Sequence, residues 1–104
     1  MTGKNHIGAI SEAKACVWLL SQGFYVFNNI MAHGPADLIA WDSSDNTIIL
    51  IDVKTIRFNI KKDGTKVYPN PYNKYNIQHP NVKCLAYSPD EDLFMWYVDG
   101  IFQS

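Results

Sequence analysis

The sequence predicts one α/β domain of the α+β kind, with a single N-terminal helix packed on a central mixed β-sheet. Three observations carry this expectation. Helical periodicity is confined to the amino-terminal segment. After it come short runs of β-branched and aromatic residues, separated by turn formers. The chain of 104 residues leaves room for one modest core, so residues 1–104 are read as a single domain.

The elements follow in order. Between Asn5 and Gln22, Ile10, Ala13, Val17 and Leu20 recur at three- and four-residue steps, and Gly23 is placed to end that helix. Phe24 to Phe27 reads as a short strand. A loop follows to Pro35, marked by Asn28-Asn29 and Gly34-Pro35. Asp37 to Trp41 is an apolar strand, and residues 42–46 are a turn. Thr47 to Lys54 is a strongly β-branched strand, so the pair predicts a hairpin. Residues 55–81 show no helix. Lys61 to Lys66 reads as a hairpin tip flanked by Ile56–Ile60 and Val67–Tyr68, while Pro69, Pro71 and Pro80 argue against long elements. Val82–Tyr87 and Leu93–Val98 are the last two expected strands.

Composition narrows the classes. An apolar fraction of 47% suits a folded chain and is too high for a disordered one. No apolar run approaches the ~20 residues of a membrane-spanning helix. The first residues lack a secretory pattern, so a cytoplasmic location without a membrane partner is expected. Cys16 and Cys84 lie among apolar neighbours and are read as reduced core residues. A net charge of -1 counts against a general polyanion binder. The charge is polarised, however. Lys54, Arg57, Lys61, Lys62, Lys66 and Lys74 crowd the middle, and Asp90, Glu91, Asp92 and Asp99 crowd the end.

The informative feature is Asp52-Val53-Lys54 at the end of the apolar strand. Side chains alternate along a strand, so Asp52 and Lys54 share one face. Alone, this triplet reads as an ion pair at a strand end. Asp37 changes that reading. If strands 37–41 and 47–54 form a hairpin, the start of the first meets the end of the second, and Asp37 falls beside Asp52. Two such carboxylates repel and raise one pKa unless a cation joins them. A hard divalent ion such as Mg²⁺, which takes oxygen ligands, resolves the conflict.

On these residues the sequence resembles the PD-(D/E)xK nuclease superfamily, in particular its small Holliday junction resolvases and intron-encoded endonucleases. The resemblance runs from Gly8 to Thr55. It rests on Ser11-Glu12-Ala13, Gly23-Phe24, Pro35-Ala36-Asp37-Leu38-Ile39-Ala40 and Ile51-Asp52-Val53-Lys54-Thr55. It departs from the usual pattern in the spacing of Pro35 and Asp37 and in having Asp52 for the commoner Glu. It implies a restriction-endonuclease-like core and a catalytic set of Glu12, Asp37, Asp52 and Lys54. The implied metal ligands are Asp37, Asp52, Glu12 and the Val53 carbonyl. The implied cofactor is Mg²⁺, with Mn²⁺ as a substitute.

Lys54 would position a water or stabilise charge on phosphorus. Arg57, Lys61, Lys62, Lys66, Tyr72 and Lys74 are expected to face DNA, since they follow the catalytic strand directly. Tyr68, Tyr75, Asn70, Asn73, Asn76 and Gln78 belong to the same stretch. His33 is read as a loop residue. The expected activity is cleavage of branched DNA by a homodimer, with the final strand (Phe94, Trp96, Tyr97) as a candidate interface. Two alternatives stand beside it: a sequence-specific homing or restriction-like endonuclease, and a catalytically silent DNA-binding or structural module.

Overall fold

The computed structural model describes residues 4–31 and 34–104. Helix α1 (Lys4–Ser21) is followed by β1 (Tyr25–Asn28), β2 (Leu38–Asp42) and β3 (Thr47–Thr55). Next come a short ribbon, β4 (Asn59–Ile60) and β5 (Lys66–Val67), and then β6 (Lys83–Ser88), β7 (Leu93–Val98) and β8 (Ile101–Gln103). The main sheet has six strands in the order β1-β2-β3-β6-β7-β8, and the ribbon forms a separate two-stranded sheet. Only β3 and β6 run parallel among these pairs; the others are antiparallel. This is the expected mixed sheet with one helix upon it. Among the described residues, no helix is long and apolar enough to cross a membrane.

The helix ends where Gly23 predicts. Gly23 has φ +94°, a conformation that L side chains rarely adopt. Its N–H donates to the Leu20 carbonyl, and the Phe24 N–H donates back to the Leu19 carbonyl. This closes a Schellman cap. Phe24 and Leu19 both join the core, so the cap also aims the chain into β1.

The buried helix face differs from the expected stripe. Ser11, Ala15 and Leu19 are buried, whereas Ile10, Val17 and Leu20 are 48%, 67% and 57% exposed. Apolar residues occur around much of this helix, so period alone did not select the face. Small side chains decide it, because Ser11 and Ala15 let the helix lie close on the sheet. Ser11 also shares a 2.5 Å hydrogen bond with Thr55 at the end of β3.

The core has two parts, one on each face of the sheet. Ala15 and Leu19 pack on Leu38, Ala40, Ile51 and Leu85, with Trp18 stacked 5.1 Å from Phe94. On the opposite face, Ile56, Ala86 and Met95 pack with Tyr68, Leu93 and Phe102. The segment 56–82 supplies that second layer, in place of a helix. It covers the β6–β8 half of the face and, through Tyr72, the end of β3, and leaves β1, β2 and the start of β3 open. There Tyr25 pairs with Trp41, Phe27 with Ile39, Ile39 with Leu50 and Trp41 with Ile48.

Within the chain, Phe94 and Trp96 flank Trp18, and Tyr97 packs on Phe102, while all three stay partly exposed. One element was not expected: β8, although Asp99-Gly100 announces it. Both residues have positive φ, 50° and 80°, as a two-residue hairpin turn requires.

Candidate active site

β2 and β3 form the expected antiparallel hairpin, with Leu38 opposite Ile51. Asp37, one residue before β2, therefore lies opposite Asp52. Its N–H donates to the Ile51 carbonyl at 2.8 Å, extending the ladder by one bond. Its Oδ2 accepts from the Val53 N–H, also at 2.8 Å. The carboxylate thus satisfies a backbone donor just where the chain leaves the ladder, which fixes its orientation.

The loop before Asp37 is braced from β1. The Asn29 N–H donates to the Asp37 carbonyl, and its side-chain amide donates to the Ala36 carbonyl. Gly34 has φ +117°, so the turn into Pro35 needs glycine. Asn29 was legible in sequence only as a loop former. A cleft of about 350 Å³ opens beside Asp37, lined by Asn28, Asn29, Pro35, Ala36, Ile39 and Leu50 among others.

Asp52 and Lys54 point to the sheet face opposite α1. Lys54 Nζ lies 3.7 Å from Asp52 Oδ2, and the two side chains are 23% and 20% exposed. Such a half-buried pair is less screened than a surface one. Asp37 and Asp52 stand opposite each other across the hairpin, and burial together with this neighbour pushes the Asp37 carboxyl up to about 6 despite the opposing Val53 bond. Glu12, from α1, is raised by burial and then by the Asp52 charge. The three carboxylates are therefore electrostatically linked. Among the described residues, however, no three Asp, Glu, His or Cys side chains stand close enough together to hold a metal ion. Asp37 and Asp52 face each other in register, with Lys54 beside Asp52.

Tyr72 reaches the same place from segment 56–82. Its hydroxyl donates to Asp52 Oδ2 at 2.8 Å, and Lys54 Nζ sits 5.2 Å from its ring centre. Burial first, then this bond, raises the phenol's pKa. Cys84, the register partner of Asp52, is buried, and its thiol is pushed up to about 11 mainly by that burial. Both cysteines are free, as expected.

The expected DNA-facing residues divide. Lys61 and Lys62 are exposed at the ribbon and make no ion pair among the described residues. Lys66 pairs with Glu91, and Arg57 with Asp90, so the acidic end folds back on part of the basic middle. Lys74 lies over the Tyr75 ring. Tyr72 is turned inward. Asn70 and Asn73 accept backbone N–H bonds from Tyr72, Tyr75 and Asn76, so their side-chain oxygens are spent on turns. His33 lies outside the described residues.

No protein-family model matches the chain, and no curated protein does either. Among solved structures it is similar to a bacterial homing endonuclease, I-Ssp6803I, with a TM-score of 0.67 and 21% identity. That likeness covers 93% of this chain but 66% of the other, so this chain spans a little under two thirds of its neighbour. At this identity the likeness shows a shared fold.

Proposed function

We propose that the chain is a metal-dependent DNA endonuclease of the PD-(D/E)xK type, with Glu12, Asp37, Asp52 and Lys54 at its centre. The observation that carries this reading is the placing of Asp37 opposite Asp52 at the end of the hairpin, with Lys54 3.7 Å from Asp52. The fold shared with a homing endonuclease supports it. The donor set fits a hard cation. It consists of oxygen atoms alone, and Asp37 is held near a pKa of about 6 among like charges. Mg²⁺ suits a site built from one or two carboxylates, since it keeps several of its waters.

Asp37 and Asp52 would hold the ion, with the Val53 carbonyl and Glu12 as further oxygen donors and Mn²⁺ as a substitute. When bound, such an ion supplies Lewis acidity and an acidified water. The remaining work belongs to the chain. The Val53 N–H keeps Asp37 in place, and Asp37 gives up its proton on loading. Lys54 orients the attacking water and offsets charge growing on the phosphate oxygens. The exposed Lys61 and Lys62 anchor the DNA backbone, which sets register and affinity without reading bases.

Branched DNA cut by a homodimer is one substrate reading, since resolving a junction takes two symmetric cuts. A second, sequence-specific cleavage of linear duplex, is favoured by the β4–β5 ribbon. A two-stranded ribbon fits the major groove, and here it carries Lys61 and Lys62 at its tip. A second copy would meet the chain on the open apolar face of β1, β2 and the start of β3. The test is a cleavage panel of four-way junction, flap, linear duplex and supercoiled plasmid, titrated with Mg²⁺ and Mn²⁺. Opposed nicks in the junction alone support the first reading, and a discrete cut in duplex supports the second. No metal-stimulated cleavage of any DNA rejects the endonuclease.

A further inference from the structure

Asp52 and Lys54 are held from above by one residue that lies outside the sheet. Tyr72 donates to Asp52 Oδ2 at 2.8 Å, the same oxygen that Lys54 faces at 3.7 Å. Its ring lies 5.2 Å from Lys54 Nζ and 6.4 Å from the Tyr97 ring centre. Its backbone is fixed in turn, since the Tyr72 N–H donates to Asn70 Oδ1 at 2.9 Å. A phenol so placed has two effects. The hydroxyl occupies one carboxylate oxygen and so fixes the Asp52 rotamer. The ring gives the lysine a seat beside Asp52, so the ammonium need not swing fully onto the carboxylate.

We propose that Tyr72 is the positioning residue of this centre, orienting Asp52 for a divalent cation through its hydroxyl and seating Lys54 through its ring. The assignment rests on the metal-dependent reading above. Without the hydroxyl, Asp52 turns towards Lys54, and the carboxylate and lysine neutralise each other. Outer partners of ligating carboxylates typically govern 10–100-fold in metal affinity. Tyr72→Phe keeps the ring and removes only the bond to Asp52, so it separates the two effects. Tyr72→Ala removes both.

The test uses Mn²⁺ binding to the DNA-free protein, followed by electron paramagnetic resonance, beside cleavage kinetics. Tyr72→Phe is expected to bind Mn²⁺ on the order of tenfold more weakly. At saturating Mn²⁺ its turnover should return to near wild type. Tyr72→Ala should lose turnover that added metal does not restore. Asn70→Ala, which loosens the turn and leaves the phenol intact, should weaken Mn²⁺ binding to a smaller degree. Unchanged Mn²⁺ affinity in Tyr72→Phe overturns the proposal, as does a defect confined to DNA affinity. If the wild type binds Mn²⁺ yet cuts no DNA, the endonuclease reading fails while the Mn²⁺ comparison still decides the role of Tyr72. A wild type that binds no Mn²⁺ rejects both.

Discussion

Asp37 carries opposing demands within one carboxyl group. Its Oδ2 accepts the Val53 N–H, which favours the charged form, yet burial and Asp52 outweigh that bond and hold its pKa up to about 6. The sign of the pH dependence follows. Between the unfolded value near 4 and the folded value, the native state binds more protons than the unfolded one, so stability falls as pH rises. Metal-free protein should therefore lose stability between about pH 4 and pH 6, by roughly 1–2 kcal/mol after allowance for solvent screening. Urea unfolding across that range measures it. On the metal-dependent reading, excess Mg²⁺ should flatten the slope, because an ion held by Asp37 would favour its deprotonated form.

Asp52→Asn tests the same repulsion from the other side. It should abolish cleavage while raising the metal-free midpoint, by about 1 kcal/mol. Normal cutting by the purified variant would remove Asp52 from the centre. Lys54→Ala should lower turnover by two or more orders of magnitude with DNA affinity little changed, read as kcat against Kd. A loss of affinity alone makes Lys54 a phosphate contact.

At the scale of elements, the hairpin β2–β3 determines the site and was the most legible part of the chain. Asp37-Leu38-Ile39-Ala40-Trp41 and the β-branched run to Lys54 are short apolar runs on either side of the turn residues 42–46, which announce a hairpin. Asp37 and Asp52 could therefore be paired from sequence. Tyr72 could not, because its approach depends on turns at Asn70 and Asn73 and on packing across the sheet. No periodicity in the segment records these. The helix face was misplaced for a related reason. Apolar side chains flank the helix on several sides, and only the fit of Ser11 and Ala15 against the sheet singles out one.

Ile51 and Leu85, both fully buried, lie in the core beneath the helix. Leu85→Ala should cost ~2–5 kcal/mol by equilibrium unfolding, since it leaves a cavity between α1 and the sheet. On the ribbon, Lys61→Ala with Lys62→Ala should weaken DNA binding and reduce its salt slope by ~2, with turnover retained. An unchanged slope would mean that the ribbon does not touch phosphate.

Across the whole molecule, the sheet is covered unevenly. The helix layer spans one face, and segment 56–82 covers part of the other. Tyr25, Phe27, Ile39, Trp41, Ile48 and Leu50 remain as a continuous apolar surface without a charged member, and Ile48 alone is 65% exposed. Six such side chains could remove roughly 400–600 Å² per copy from water, the centre of a standard interface of ~800 Å² a side. The absence of charge lets the surface meet itself about a twofold axis without repulsion. Sedimentation should show a dimer at micromolar concentration, and Ile48→Lys should convert it to a monomer with unchanged circular dichroism. A wild-type monomer at all concentrations excludes this face as a self-contact.

The lone parallel pairing, β3 with β6, also sets an order of events in time. Its partners are separated by segment 56–82, so the register Asp52 opposite Cys84 can form only after a long loop closes. The β2–β3 hairpin closes over a short turn and needs no such delay. During folding, Asp37 and Asp52 are therefore brought face to face first, as bare like charges in water. The pairing with β6 and the cover from Tyr72 arrive later. A cation present at that early stage would join the hairpin before the sheet is complete, so the refolding rate, and not only the final stability, should rise with Mg²⁺ concentration. Stopped-flow refolding with and without Mg²⁺ reads this directly. The carboxylate pair would then act first as the nucleus on which its own domain assembles.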